Sequence, residues 1–130
     1  MLLAVDFRGS WQRAFGYALG IARAAGARLF ELHALEDVAR PSEGAELPRA
    51  IAERLRAELP AGPVSAGGHE EIVAAGPAQR LIPRLATERR ADLVVLGFEP
   101  QHLVAESLSG STLWHVLRGM SCPVLAVPLA

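Results

Sequence analysis

The segment Asp92-Leu93-Val94-Val95-Leu96-Gly97 is the clearest indication of the fold class of this chain. Four consecutive aliphatic residues, with no polar residue between them, are typical of a strand buried on both faces of a sheet. Helices must cover both faces of such a sheet, because a strand with one solvated face alternates apolar and polar residues instead. The stretch therefore indicates an α/β protein with parallel strands.

Shorter apolar runs on either side of this strand alternate with segments of helical spacing. Strands that alternate with helices run parallel through right-handed crossovers. We therefore predict an open, doubly wound, five-stranded parallel sheet in the order 3-2-1-4-5, with helices on both faces and one domain over residues 1–130. The predicted strands are residues 2–5, 29–35, 72–75, 93–97 and 123–127. The predicted helices begin after Ser10, near Pro48, at Gly76-Pro77 and at Gly110, the first ending at Gly26 and the last at Gly119.

The first and last of these helices carry patterns that predict their packing. Gly16 and Gly20 form a GxxxG spacing, but charged Arg13 and Arg23 flank it. This favours close packing of the helix against the sheet over a membrane dimer. In the last helix, the spacing predicts that Leu113, Val116 and Leu117 face inward.

The composition excludes several classes of function. Hydrophobic residues make up 51% of the 130 residues and the formal net charge is −1, so a folded core is expected and a general nucleic-acid binder is not. All 13 basic residues are arginine, which excludes a phosphate-loop or Schiff-base lysine. The single cysteine allows no intrachain disulfide. No apolar run reaches the roughly 18 residues of a membrane span, and we expect a cytoplasmic protein.

The predicted topology places any ligand site at one point of the sheet. Ligands of open parallel sheets bind beyond the carboxyl ends of the strands, where the winding direction reverses. In the order 3-2-1-4-5, this point lies between the first strand, ending at Asp6, and the fourth, ending at Gly97. The loop after Gly97 closes on Gly110-Ser111-Thr112, which opens a helix. The free N–H groups of such a helix start suit a phosphate.

Four segments together resemble the universal stress protein family. They are Ala4-Val5-Asp6-Phe7, Leu32-His33-Ala34, Ala91 to Gly97, and Cys122-Pro123-Val124-Leu125-Ala126-Val127. The resemblance covers nearly the whole chain and is weakest between Glu36 and Gly68. It implies the adenine-nucleotide alpha-hydrolase-like form of the doubly wound fold, and a role in stress response.

The resemblance also implies roles for individual residues. Nucleotide-binding members of the family carry a loop of the form G-x2-G-x9-G-[ST], and Gly97, Gly110 and Ser111 keep that spacing. The implied ligand is ATP or AMP, with Mg²⁺ if it is a triphosphate. Asp6 would bond the ribose or reach the metal, and Ala34 would lie near the adenine. Gly97 and Gly110 would let backbone approach the ligand, and Ser111 and Thr112 would hold phosphate oxygens.

The second glycine of that loop is Pro100 in this chain, and Glu99 precedes it. Proline neither adopts a positive φ nor donates an N–H, whereas glycine does both. A carboxylate ~4 Å from a phosphate charge costs on the order of 1–4 kcal/mol, depending on exposure. We therefore expect a triphosphate to bind more weakly here than in a protein with the full motif.

Two interpretations of function stay open at this point. The chain is either an adenine-nucleotide-binding regulatory protein, or a dimeric module that does not bind ATP and acts through protein partners. No catalytic machinery is visible in the spacing, so we expect at most slow ATP hydrolysis. In both cases we predict a homodimer through the last strand, from Pro123 to Leu129, because an apolar edge invites pairing.

Each site residue also has a plain structural interpretation. Asp6 can cap the turn that follows it, Gly97 can serve a strand-end turn, and Gly110-Ser111 can be an ordinary helix start. His33 lies within a strand, where a histidine is more often a satisfied core residue than a ligand.

Overall fold

Five parallel strands and four helices alternate along the chain in a computed structural model, which describes residues 1–7, 9–36, 46–59, 64–100 and 111–129. The strands are β1 (Leu2–Ala4), β2 (Leu29–Leu35), β3 (His69–Ala75), β4 (Val94–Phe98) and β5 (Val124–Pro128). The helices are α1 (Trp11–Ala25), α2 (Glu46–Ala57), α3 (Ala78–Glu88) and α4 (Thr112–Gly119).

The sheet has the order β3-β2-β1-β4-β5, and all four strand pairs are parallel. This confirms the predicted fold class and strand order. The central position of β1 brings its carboxyl end beside that of β4, because Ala4 is in register with Leu96. The point where the winding reverses therefore lies where the sequence placed it.

Two apolar layers cover the two faces of the sheet, as the alternation of side chains along β1 shows. Leu3 faces the layer formed with α1 and α2, which includes the fully buried Leu55. Its neighbour Leu2 faces the layer formed with α3 and α4. The second layer also holds Leu81, Ile82, Leu85, Val94, Leu96, Leu113 and Val116.

Strand β3 begins three residues earlier than the apolar pattern predicted. His69, Glu70 and Glu71 continue the parallel ladder with β2, although none of them is apolar. Arginine side chains balance the charges of the two glutamates. Glu70 forms ion pairs with Arg28 and Arg89, and Glu71 forms one with Arg56. An edge strand can carry such residues, and charges there discourage pairing with other chains.

Two predictions about helix packing were wrong. Gly16 and Gly20 are exposed, and a Cβ added at either position would meet nothing within 4 Å. The sheet-facing side of α1 is formed by Ala14, Phe15, Ala18 and Ala22, so the two glycines point away from the sheet. In α4, Leu113 and Val116 are buried as predicted, but Leu117 is 51% exposed.

The ends of the helices match the capping signals in part. Gly26 ends α1 in the left-handed conformation, with φ of 61°, and its N–H bonds the carbonyls of Ala22 and Arg23. Ser10 occupies the N-cap position of α1, but its side chain makes no capping hydrogen bond. Ser111 does cap α4, accepting a hydrogen bond from the N–H of Trp114 at 3.1 Å.

One carboxyl group lies inside the layer between the sheet and α1 and α2. Glu31 on β2 is 0% exposed, and neither carboxyl oxygen has a hydrogen-bond partner among the residues that the structure describes. Burial raises its pKa to about 8, and the neighbouring Glu71 adds to the increase. Glu31 is therefore protonated at neutral pH, because the uncharged acid is far less costly to bury than the carboxylate.

Candidate functional site

A cavity of about 500 Å³ opens at the carboxyl ends of β1, β2 and β4. Its wall includes Asp6 after β1, Ala34 from β2, Gly97 from β4 and Thr112 at the start of α4. These four residues are far apart in sequence, and the fold brings them to one site. The volume lies within the range of about 300–1,000 Å³ that is usual for pockets that bind small molecules.

The two other predicted site residues are Ser111 and Gly110. Ser111 is not among the described residues that line the cavity, although it adjoins Thr112 and caps the same helix. Gly110 lies outside the described residues. Glu99 and Pro100 are half-buried, and neither lines the cavity.

Gly97 has a structural role that is independent of any ligand. A Cβ at this position would lie 2.7–2.8 Å from three carbon atoms of the Leu129 side chain. Leu129 is held there by its N–H, which bonds the carbonyl of Phe98 at 2.9 Å, and it is 8% exposed. The absence of a side chain at Gly97 therefore allows Leu129 to form part of the cavity wall.

The residue after Asp6 is conformationally strained. Phe7 has φ of 59°, in the left-handed region that costs a non-glycine residue about 1–2 kcal/mol. Its ring is fixed by an edge contact with Trp11 and a tilted contact with His33, both with centroids 5.0 Å apart. The Arg54 guanidinium of α2 lies 4.0 Å from the ring centroid. These contacts hold the turn that carries Asp6 at the cavity mouth.

Sequence reasoning missed His33 as a cavity residue. It is half-buried and lines the cavity, and its Nδ1 lies 2.7 Å from the carbonyl oxygen of Val5. A carbonyl only accepts hydrogen bonds, so Nδ1 carries the proton. In the neutral ring the lone pair is then on Nε2, which is an acceptor.

Glu36 was missed as well. It follows β2 and lines the cavity, and its Oε1 accepts a hydrogen bond of 2.8 Å from the N–H of Ala78, the first residue of α3. The rule that ligands meet the carboxyl ends of strands could have found both residues, since β2 neighbours β1. The topology alone had pointed to β1 and β4, and Ala34 of β2 was expected at the site only through the family resemblance.

The described residues hold no group of three or more histidine, cysteine or acidic side chains that could bind a metal ion.

None of the helices in the described part of the chain is long and apolar enough to cross a membrane.

Comparison with proteins of known structure finds the same fold. Universal stress protein UspA from Lactobacillus plantarum superposes with a TM-score of 0.69 at 24% identity, over 97% of this chain and 95% of that one. A universal stress protein in complex with cAMP gives 0.72 at 29% identity, over 99% and 95%. The universal stress protein from Archaeoglobus fulgidus in complex with dAMP gives 0.64 at 21% identity, over 96% and 94%.

No curated protein matches the chain. The model of the universal stress protein family, in contrast, matches residues 1–128. The match spans all five strands and all four helices described above. This chain belongs to the universal stress protein family.

Proposed function

We propose that this protein binds an adenine nucleotide in the cavity at the carboxyl ends of β1, β2 and β4, as a stress-response protein with at most slow hydrolysis. One observation carries the proposal: Asp6, Ala34, Gly97 and Thr112 line one cavity at the point where the sheet reverses its winding. A further support is the 29% identical family member that was solved with cAMP. ATP and AMP are the proposed ligands, with Mg²⁺ accompanying the triphosphate.

The proposed roles follow the positions around the cavity. Asp6 bonds the ribose or a phosphate-bound metal, and Ala34 lies against the adenine. Gly97 and Gly110 admit the ligand close to the backbone. Ser111 and Thr112 hold a phosphate at the start of α4, where backbone N–H groups and the helix dipole favour an anion.

We also propose that residues 1–130 form one domain and that two copies pair through the segment from Pro123 to Leu129. Strand β5 is an edge of the sheet, and its Val124 and Leu125 are only half-buried. The preceding helix α4 exposes Leu117. An apolar edge of this kind favours pairing with a second copy. The cytoplasmic location stays a prediction of the sequence.

The second candidate function is a dimeric interaction module without a bound nucleotide. The observation that favours it is the substitution of Pro100 for the second glycine of the family loop. A monomer in sedimentation at micromolar concentration would contradict both the module and the proposed dimer.

Isothermal titration calorimetry with AMP and ATP, with and without Mg²⁺, tests nucleotide binding. We expect AMP to bind with a Kd below about 1 mM, and Asp6→Asn to weaken binding at least tenfold, or about 1.4 kcal/mol. Asp92→Asn is the matched control, because its side chain is 88% exposed and lies in the loop before β4, where it forms an ion pair of 3.8 Å with the N-terminal ammonium. Pro100→Gly should tighten ATP binding. No heat with any of these proteins at millimolar nucleotide would refute the proposed function.

A further inference from the structure

We infer that the cavity selects an adenine nucleotide with a single phosphate over a triphosphate, because the polar side chains on the β2 side of its wall, His33 and Glu36, are hydrogen-bond acceptors. This inference rests on the proposed function and adds the class of nucleotide. It is carried by Glu36, His33 and Leu129, none of which the resemblance to the family assigned to the site.

The acceptor wall begins at the end of β2. In the neutral ring the Nε2 of His33 is an acceptor, because Nδ1 donates a hydrogen bond to the carbonyl of Val5. Glu36 stands three residues later at the same end of the strand, and Asp6 lines the cavity from neighbouring β1. Hydroxyl and amino groups of a nucleoside are the partners that such a wall recognises, whereas a phosphate offers it only further acceptors.

Glu36 also removes one place where a phosphate would otherwise bind. The start of α3 opens on the cavity through Ala78, and an exposed helix start attracts anions. Here the carboxylate of Glu36 already accepts the hydrogen bond of the Ala78 N–H, at 2.8 Å. The protein supplies its own anion at this helix, and a second negative group there would meet like charge.

On the opposite side of the cavity, few of the described lining groups can bind a negatively charged phosphate. The described lining residues include two carboxylates, Asp6 and Glu36, and no arginine. The groups on this side that suit a phosphate are at the start of α4, where Thr112 contributes a hydroxyl to the wall. Leu129 narrows the space over Gly97, next to this position. Thr112 can therefore serve one phosphate there, whereas the described lining residues offer no arginine for two more.

The test is a calorimetric comparison of adenosine, AMP and ATP, each with and without Mg²⁺. For the unmodified protein we expect AMP to bind at least tenfold more tightly than ATP under both conditions. Glu36→Gln should bring the two affinities closer by threefold or more, mainly through tighter ATP binding, because a like charge is removed. Glu53→Gln is the matched control on the exposed side of α2, and should leave the ratio unchanged.

The outcomes separate the two proposals. If ATP binds as tightly as AMP or more tightly, the selection for one phosphate is refuted while nucleotide binding stands. The same holds if Glu36→Gln leaves the ratio of affinities unchanged while circular dichroism shows a folded protein. If none of the three ligands binds, the proposed function itself fails, and this inference fails with it.

Discussion

The two faces of the sheet are covered by layers of different character. The layer under α3 and α4 is built from aliphatic side chains such as Leu2, Ile82 and Val94, all nearly inaccessible to solvent. The layer under α1 and α2 contains the carboxyl of Glu31, which bonds none of the described residues, and the imidazole of His33 lies two residues further along the same face of β2.

The two layers therefore contribute differently to the stability of the fold, and the layer under α1 and α2 holds polar groups. The apolar layer can contribute the full hydrophobic free energy of its buried area. The other layer loses part of that contribution to a buried acid and to the strained backbone of Phe7. Asp6 and His33 line the cavity, and Phe7 follows the first and contacts the ring of the second, so the strained backbone on this face adjoins the candidate site.

The largest expected effect comes from removing the buried acid. The pKa of Glu31 is about 8 in the folded state, against 4.5 ordinarily, so the folded protein binds more protons than the unfolded chain between these values. The free energy of unfolding should therefore fall as the pH rises from about 4.5 to 8, by ~3–5 kcal/mol in total. Glu31→Leu should abolish this decrease and be more stable at pH 8 by a similar amount.

Denaturant unfolding at pH 5, 6.5 and 8 measures this slope. Glu31→Gln is the conservative variant, which keeps an uncharged polar group and should also remove the pH dependence. Glu53→Leu, at an exposed position, controls for the change in net charge. A slope that persists in Glu31→Gln would assign the pH dependence to another group and remove this difference between the two layers.

The packing of Leu129 over Gly97 should give the next largest effect on the free energy of unfolding. Gly97→Ala places a methyl group 2.7 Å from side-chain carbons of Leu129, and overpacking of this kind costs about 1–3 kcal/mol. Leu129→Ala alone also destabilises the protein, because a buried side chain is removed. In the double variant the added methyl meets no clash, so the cost of Gly97→Ala should largely disappear.

A double-mutant cycle in urea measures the coupling between the two positions. Additive effects of the two substitutions would show that Gly97 is required for a reason other than Leu129. Nucleotide titration of the double variant then separates packing from binding. If the double variant is stable but has lost AMP binding, the absence of a side chain at Gly97 also serves the ligand.

The strand order could be predicted because buried parallel strands are apolar throughout, as in Val94 to Leu96. The start of β3 could not, since His69, Glu70 and Glu71 are polar and are accommodated by surface ion pairs that depend on the tertiary structure. Helical spacing also predicted the wrong side of α4 for Leu117, because the side that faces the sheet depends on the tertiary structure.

The location of the site could be predicted from topology, and part of its wall could not. Asp6 and Gly97 follow from the reversal of winding between β1 and β4. Glu36 is an exposed charge after a strand, for which many plain explanations exist, and only the bond to Ala78 reveals its position. The approach of Leu129 to Gly97 depends on the path of the chain after β5, and no local pattern records that path.

The smallest change in stability is expected on the outer side of α1. The inner side of this helix packs in the layer that contains Glu31. Gly20 is exposed within the helix, and nothing lies within 4 Å of an added Cβ. Glycine costs a helix interior about 0.5–1 kcal/mol relative to alanine, so Gly20→Ala should raise the free energy of unfolding by that amount. Gly26→Ala is the contrasting control, because φ of 61° at the helix end disfavours a side chain, and it should destabilise the protein. Thermal melting of both variants measures the difference. If Gly20→Ala is instead destabilising while the oligomeric state is unchanged, the outer side of α1 is packed against another part of the protein. Equal stability gains in the two variants would show that the left-handed turn at Gly26 imposes no cost on alanine.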